Sequence, residues 1–442
     1  MTVAVFLASL CGALAIGMPV AFALIVCGLA LMLWLGIFDA QIVAARLIEG
    51  ADNFQLLAVP FFMLAGELMN AGGLSRRIVA FATSLVGHVH GGLGYVAIVA
   101  AIILASLSGS AAADTAALAS ILIPMMRRAG YPLPTSAGLI AAGGIIAPVI
   151  PPSIGFIIFG VAANVSITQL FLAGVFPGLL MGASLVLAWW WVVRGMRLEV
   201  QPRQGWRARL RSFCDGILAL LMPVMILSAI RFGWATPTEA AVFAAVYAFV
   251  IGMFAYGELR ISELYGVFLL AAKTTAVVMF LVSSALISAW LITQANIPAE
   301  LGSVLEPFKD RPKLLLLVLM VLVAAVGTAL DFAPTVLILT PILMPIVREA
   351  GIDPVYFGVL FIINNAIGLI TPPVGIVLNV VCGVARVPMD AVIRGVLPFL
   401  LAQLGVLGVL ILLPQWVLAP LAFLRGRIDA GEMLHRMLLD PF

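Results

Sequence analysis

Ile121-Leu-Ile-Pro-Met-Met-Arg-Arg-Ala-Gly130 returns later in the chain as Ile342-Leu-Met-Pro-Ile-Val-Arg-Glu-Ala-Gly351, so Pro124 pairs with Pro345 and Gly130 with Gly351. The spacing is 345 − 124 = 221 residues. Ala147-Pro-Val-Ile-Pro-Pro152 returns as Gly368-Leu-Ile-Thr-Pro-Pro373 in the same register, 372 − 151 = 221. Upstream, Gly17-Met-Pro-Val pairs more weakly with Ala235-Thr-Pro-Thr, at 237 − 19 = 218. Two matches in one register mark a duplicated unit. Apolar segments interrupted by Gly and Pro at corresponding places in two halves point to the binding site of a secondary transporter.

The surrounding composition fits a bilayer and not water. Of 442 residues, 64% are hydrophobic and 10% charged, where a soluble domain carries about 25% charged residues; mean hydropathy is +1.22. Apolar stretches of the ~20 residues needed to span the hydrocarbon core recur along the whole chain and leave no room for a separate soluble domain. Many of the 41 Gly and 26 Pro fall inside these stretches, where unpaired backbone is tolerated only against protein or a polar cavity, so broken helices are expected. The net charge of +3 is too small to suggest a nucleic-acid partner, and none is expected. Cys11, Cys27, Cys214 and Cys382 stand singly, with no metal or disulfide spacing, and read as packing residues. Val3 to Trp34 is too long for a signal peptide and lacks a basic start, so it reads as retained membrane sequence.

The fold class that follows is an all-α polytopic membrane protein. Its first repeat covers 1–193, with a re-entrant hairpin at about 95–128 and a broken helix at about 135–163. A connector at 194–213 holds Arg194, Arg197, Arg203, Arg207, Arg209 and Arg211, opposed nearby by Glu199 and Asp215; Lys and Arg favour the cytoplasmic side, which places it there. The second repeat covers 214–424, with a hairpin at about 313–348 and a broken helix at about 355–385, followed by a tail at 425–442. Counting spans from the connector puts Arg127-Arg128 in the cytoplasm and Arg348-Glu349 outside, as inverted repeats require. Arg425, Arg427 and Arg436 do not fit a single span over about 395–422: either an extra turn intervenes or the tail departs from the rule.

Leu104 to Thr115 and Ala325 to Val336 each lie between apolar segments too short to cross individually, and both read as hairpin tips. At the 221 spacing Ser110 faces Asp331 and Asp114 faces Thr335, so each tip carries one carboxylate and one hydroxyl with their places exchanged. A carboxylate in hydrocarbon costs about 2.5–3.5 kcal/mol on insertion scales and is normally kept against a cavity, a partner or an ion. Hard cations take such oxygens, together with carbonyls from unwound helix. The Pro-rich breaks, Gly143-Gly144 with 147–153 and Asn364-Asn365 with 368–375, free those carbonyls. Helices leaving the breaks and tips present positive N-termini at which an anion docks. Asp114, Thr335, Pro151, Pro372 and Asn364 are candidates for contacting substrate or organising the tips.

Other polar residues have plainer explanations. Glu67 and Glu239 suit an interface or an arginine partner, Lys273 suits snorkelling to the surface, and Trp189-Trp-Trp191 suits an interfacial anchor. His88 and His90 lack a carboxylate cluster or a third imidazole, so they are assigned no metal, and no cofactor is assigned.

The chain resembles the large membrane subunit of tripartite ATP-independent periplasmic (TRAP) transporters. The resemblance rests on Gly17-Met-Pro-Val-Ala-Phe-Ala, Pro60-Phe-Phe-Met-Leu-Ala-Gly-Glu-Leu-Met, Ser106-Leu-Ser-Gly-Ser-Ala-Ala-Ala-Asp-Thr-Ala, Ile150-Pro-Pro-Ser-Ile, Ala235-Thr-Pro-Thr-Glu-Ala-Ala and Ile370-Thr-Pro-Pro-Val-Gly. It implies an elevator-type carrier of the bacterial inner membrane, with hairpins and broken helices forming a transport domain that moves against a scaffold. It implies sodium coupling, with one ion around Ser106, Ser108, Ser110, Gly143, Gly144, Ala147, Ile150 and Pro152, and a second around Gly327, Thr328, Asp331, Asn365, Gly368 and Thr371. It also implies a small organic anion, usually a carboxylate, delivered by a periplasmic binding protein, and a small four-helix membrane subunit. Because the chain begins directly in the large-subunit pattern, that small subunit is expected as a separate polypeptide. A stand-alone dicarboxylate/sodium symporter of related architecture is the alternative, and a channel shares the same oxygen sites. An intramembrane aspartyl protease is disfavoured because neither Asp114 nor Asp331 follows Gly-x-Gly.

Overall fold

The computed structural model describes residues 2–196, 198, 202–305, 308, 311–328 and 330–439; Arg197 and Glu199 of the connector lie outside them. The described residues form helices and connecting turns, with no strand among them. Among them, seven helices are long and apolar enough to cross a membrane: Phe54–Ala71, Ile167–Val193, Trp206–Arg231, Pro237–Ala255, Ile261–Gln294, Phe332–Glu349 and Met389–Leu412. The protein is a polytopic, all-helical membrane protein.

The first half contains α1 (Thr2–Ala15), α2 (Val20–Leu35), α3 (Ala40–Ala51), α4 (Ala58–Ala71), α5 (Leu74–Val86), α6 (Gly92–Ser108), α7 (Ala111–Arg128), α8 (Leu133–Gly144), α9 (Ile154–Ala163) and α10 (Ile167–Val193). The second contains α11 (Trp206–Arg231), α12 (Pro237–Val250), α13 (Ile261–Gln294), α14 (Ile297–Leu305), α15 (Pro312–Gly327), α16 (Phe332–Glu349), α17 (Pro354–Gly368), α18 (Ile376–Ala385) and α19 (Met389–Leu412). Helices α20 (Gln415–Leu424) and α21 (Ala430–Leu439) follow. Both ends of α16 stand 221 residues beyond those of α7 (332 − 111 and 349 − 128), and α17 starts 354 − 133 = 221 beyond α8.

Local chemistry sets these boundaries. Asp353 caps α17 by accepting from the Val355 and Tyr356 amides at 2.9 and 2.8 Å, and Pro354 sits where its missing N–H costs nothing. Thr236 and Glu239 form a reciprocal capping box on α12: the Glu239 amide donates to Thr236 Oγ1 at 3.3 Å and the Thr236 amide to Glu239 Oε2 at 2.7 Å. Glu239 is therefore a helix cap. Helices α8 and α9 are separated by turns at 145–153, and α17 and α18 by turns at 369–375; each interruption holds a cis Pro-Pro bond, Pro151-Pro152 and Pro372-Pro373.

One group, in which α2, α3 and α4 pack on α13 and α12 packs on α4, forms the outer group, and it meets an inner group through α13 on α16. In the inner group α7 packs on α18, α16 on α9, and α8 and α10 on α19. Helices α8 and α19 meet backbone to backbone: a Cβ added to Gly138 would stand 2.6 Å from the carbonyl carbon of Gly395. Small residues at helix contacts permit such close approach in membranes.

Three expectations change. The span expected over 395–422 is two helices, because α19 ends at Leu412 and α20 starts at Gln415, after Pro414. The extra turn leaves the tail at the end of the molecule that carries Arg231, whose Nε donates to the Leu424 carbonyl at 3.0 Å. Trp189 is not an interfacial anchor: it is fully buried, donates to the Gly91 carbonyl at 2.9 Å and stacks on Tyr131. Successive helical residues point about 100° apart, so one indole turns inward while Trp190 and Trp191 stay exposed. Cys27 packs in the core as expected, but Cys11 and Cys214 are exposed.

Candidate functional site

The first tip is a closed hydrogen-bonded loop. Helix α6 ends at Ser108, Gly109 takes φ 63°, and Ser110 caps α7, its hydroxyl accepting from the Ala113 amide at 3.4 Å. A Cβ on Gly109 would stand 2.6 Å from the Pro152 carbonyl oxygen, so glycine permits both the left-handed turn and contact with the α8/α9 break. Ser108 Oγ donates to Asp114 Oδ1 at 2.5 Å and accepts from the Ser110 amide at 3.1 Å. Asp114 is buried and its second oxygen, Oδ2, has no hydrogen-bond partner. Thr115 Oγ1 is also buried without one, and a Cβ on Gly144 would stand 1.8 Å from it.

The second tip is more open. Asp331 is exposed and caps α16, its Oδ1 accepting from the Phe332 amide at 2.6 Å. Thr335 is buried beneath it and donates to the Asp331 carbonyl at 2.9 Å. Asn365 Nδ2 donates to the Phe332 carbonyl at 2.8 Å, which leaves Oδ1 buried and unpartnered. Gly327 closes on that oxygen and Gly368 packs on Gly327: a Cβ on Gly327 would stand 3.2 Å from Asn365 Oδ1, and one on Gly368 would stand 2.9 Å from the Gly327 carbonyl oxygen.

Between the tips lies a cavity of about 170 Å³. Four helices begin on it: Ser110, Ala111 and Ala112 start α7, Ile154 and Gly155 start α9, Asp331, Phe332 and Ala333 start α16, and Ile376 and Val377 start α18. Met63 of α4 and Val278 of α13 complete the wall from the outer group. Each helix N-terminus carries about half a positive charge and unpaired N–H groups, so their convergence suits an anion. Larger clefts lie elsewhere, including one of about 520 Å³ between α11 and α12, but its lining is almost entirely apolar and it faces none of these N-termini.

The expected site residues divide accordingly. Ser108, Ser110 and Pro152 meet at the first tip, while Gly144 meets α7 at Thr115. Ala147, Ile150 and Pro151 are buried in the break; Ile150 packs on Gly178, and Gly143 faces Ala101. Ser106 turns back to the Ile103 carbonyl at 2.6 Å. In the second half Gly327, Asn365 and Gly368 come together. Thr328 and Thr371, just past the ends of α15 and α17, bond back to the Ala325 and Ile367 carbonyls of those helices, both at 2.8 Å. Asp331 borders the cavity, and Pro372 is half-buried in its break. Asn364 turns away and fastens α17 to the Met320 carbonyl of α15 at 2.5 Å. Thr115 was not singled out from the sequence; the signal available was a hydroxyl beside Asp114 in the same tip.

The second-tier residues also have places. Glu67 is half-buried beside Asn70 and Arg76 in a cleft of about 440 Å³ facing α7. His90 Nε2 lies 3.0 Å from the Met196 carbonyl oxygen in its turn, and Lys273 is exposed. Among the described residues no three His, Cys, Asp or Glu side chains converge. An ion here would be met by carbonyl, hydroxyl and amide oxygens with at most one carboxylate, a donor set for a hard monovalent cation. Asp331 borders the cavity and Asp114 does not, so the two carboxyls are not arranged as a pair sharing one proton.

Comparison with known proteins gives a consistent result. Residues 7–416 match the family model described as "Tripartite ATP-independent periplasmic transporter, DctM component". The chain is 55% identical over 424 residues to the 2,3-diketo-L-gulonate TRAP transporter large permease protein of Escherichia coli, covering 96% of this chain and all of that one. It is 39% identical over 407 residues to the sialic acid TRAP transporter large permease protein of Vibrio cholerae, covering 92% and 95%. It is also 39% identical over 376 residues to the C4-dicarboxylate TRAP transporter large permease protein of Pseudomonas aeruginosa, covering 85% and 88%. Among solved structures, the Alcanivorax borkumensis YdaH transporter shares the fold with a TM-score of 0.64 over 85% of this chain and 89% of that one, at 17% identity. The chain therefore belongs to the family of TRAP transporter large permease proteins, which are transport components and not enzymes.

Proposed function

We propose that this chain forms the path by which a small organic anion enters a bacterial cell across the inner membrane, coupled to sodium, with a periplasmic binding protein delivering the substrate and a small membrane subunit bound alongside. The observation that carries the reading is the convergence of four helix N-termini on one cavity of about 170 Å³, four partly positive helix ends facing one carboxylate inside an apolar protein. One relative, 55% identical over 424 residues, is named for 2,3-diketo-L-gulonate, so a sugar-derived keto acid is the first substrate to test.

Buried oxygens without a hydrogen-bond partner support sodium as the coupling ion: Asp114 Oδ2 and Thr115 Oγ1 in the first half, and Asn365 Oδ1 beside Gly327 in the second. Inverted repeats are supported by the reciprocal packing of α7 on α18 and α16 on α9. The inner group would be the moving body of an elevator, and the outer group, which touches the cavity through Met63 and Val278, the scaffold.

The test is uptake of labelled 2,3-diketo-L-gulonate into proteoliposomes containing this chain, its small subunit and the binding protein, with and without an inward sodium gradient. Uptake requiring both sodium and the binding protein is expected. Sodium-dependent uptake without the binding protein would replace the tripartite assembly with a stand-alone symporter, and uptake indifferent to sodium would remove the coupling.

A further inference from the structure

Four helices leave the cavity in two side-by-side pairs, and each pair is tied at its far end by one arginine. Helices α16 and α9 both begin at the cavity and pack on each other; at the other end Arg348 Nη2 donates to the Ala163 carbonyl at 2.8 Å. Helices α7 and α18 form the second pair, and there Arg127 Nη2 donates to the Ala385 carbonyl at 3.0 Å. Arg127 and Arg348 stand at 348 − 127 = 221 and their acceptors at 385 − 163 = 222, so one contact is built twice, each time between opposite halves.

Both acceptors need this partner for the same reason. Ala163 and Ala385 are the last residues of α9 and α18 and are buried, and the last carbonyls of a helix have no intrahelical donor. Each helix stops at a non-glycine residue in the left-handed region, Asn164 at φ 52° and Arg386 at φ 55°. The cap amides turn back to earlier carbonyls, Asn164 to Val161 and Gly160, and Arg386 to Cys382, leaving Ala163 and Ala385 to the arginines. A cation at a helix C-terminus also offsets the negative end of the macrodipole. Each arginine is one residue from the end of an 18-residue helix, while its acceptor ends a 10-residue helix. Helical side chains lean toward the N-terminus, which lets a long guanidinium reach back to the shorter neighbour.

We infer that Arg127 and Arg348 are positioning residues, each fixing how far the short helix of the opposite half, α18 or α9, extends into the cavity. A ten-residue helix is about 15 Å long, so each arginine acts at that distance, with the helix as a rigid strut. The tie is one of several polar links between the halves, beside Arg77–Glu258 and Ser288–Leu24, but the two arginines act at the far ends of the helices that begin on the cavity, so each hairpin base moves with the opposite broken helix. Its consequence for transport rests on the proposed anion site; the tie itself does not.

The experiment is hydrogen–deuterium exchange on the purified full-length protein, comparing Arg348→Ala, Arg127→Ala and the two Lys variants with the parent. A charge-assisted hydrogen bond of ordinary strength predicts local exchange faster by about tenfold or more when it is lost. Arg348→Ala should show this in peptides covering 154–163 and leave 376–385 unchanged, and Arg127→Ala should show the reverse. Lys, which keeps one donor and the charge, should restore much of the protection. In uptake assays the Ala variants should raise KM for 2,3-diketo-L-gulonate more than they lower the maximal rate, because the cavity wall is displaced. Acceleration spread evenly over both helices, or confined to the arginine's own helix, overturns the inference, as does unchanged exchange. If the Ala variants do not fold, the Lys variants alone must show the crossed pattern at smaller amplitude, and its absence overturns the inference. The exchange result stands or falls without any uptake, so failure of the proposed substrate would be recognised separately.

Discussion

The two half-sites share a backbone plan and fill it from opposite sides. In the first half the side-chain oxygens belong to the hairpin, with Ser108, Ser110, Asp114 and Thr115 at the tip, and Gly144 of the broken helix makes room for Thr115. In the second half the positions are reversed: Gly327 of the hairpin makes room, and the broken helix supplies Asn365, the counterpart of Gly144 at 365 − 144 = 221. The surroundings differ as well. The first break, from Ile145 to Ser153, is wholly buried, whereas Pro373, Val374 and Asp331 of the second half are exposed. The two halves keep one backbone register, while their chemistry differs: one half-site is sealed and hydrogen-bonded and the other is open.

The largest effect should separate the two carboxylates. Asp114→Ala removes a buried, hydrogen-bonded group and should reduce uptake by about 100-fold or more, since leaving buried polar partners unpaired is expensive. Asp331→Ala, at the exposed tip, should reduce it by only about tenfold, because a helix cap and a water-exposed charge are lost. Equal losses, measured as initial uptake rates, would break the comparison.

A smaller effect is steric. Gly144→Ala places a Cβ 1.8 Å from Thr115 Oγ1 and should cost about 2 kcal/mol of stability, a typical overpacking penalty. Gly327→Ala meets Asn365 Oδ1 at 3.2 Å and should cost about 1 kcal/mol, mostly adjustable. Thermal unfolding in detergent measures both, and Thr115→Ala should restore part of the Gly144→Ala loss because the residues are in contact. Thiol labelling sharpens the difference in exposure. In a cysteine-free background, Val374→Cys should react with a water-soluble maleimide about tenfold faster than its counterpart Ser153→Cys, as expected where local opening differs by ~1.4 kcal/mol. The smallest effect is expected at Thr335, whose hydroxyl donates to the Asp331 carbonyl at 2.9 Å. Thr335→Val should cost about 1 kcal/mol, the net value of one such bond.

Much of this site was legible residue by residue. The Pro-Pro breaks, the tips and the exchanged Ser110/Asp331 and Asp114/Thr335 pairs follow from the repeat register, because Gly, Pro and carboxylate residues in apolar sequence have few other uses. Thr115 was not legible, since its importance comes from Gly144 arriving from another helix, 29 residues away (144 − 115). Asn364 was misleading because two adjacent amides on one helix face different neighbours: Asn364 reaches Met320, while Asn365 reaches Phe332 and the gap beside Gly327. Trp189 was misread for the same reason, since a run of three indoles cannot share one environment on a helix.

The sequence by itself determined that the chain is a membrane protein whose halves carry Gly and Pro in one shared register, where its helices break, and which family it resembles. Those properties depend on composition and on residues close together in the chain. Only the tertiary structure decided that four helix N-termini share one cavity, that one half-site is sealed and the other open, and that Arg127 and Arg348 each hold the opposite half. Those depend on which helix faces of segments more than 180 residues apart come into contact (348 − 163 = 185), and a linear pattern of apolar residues, all compatible with lipid, does not specify which faces meet.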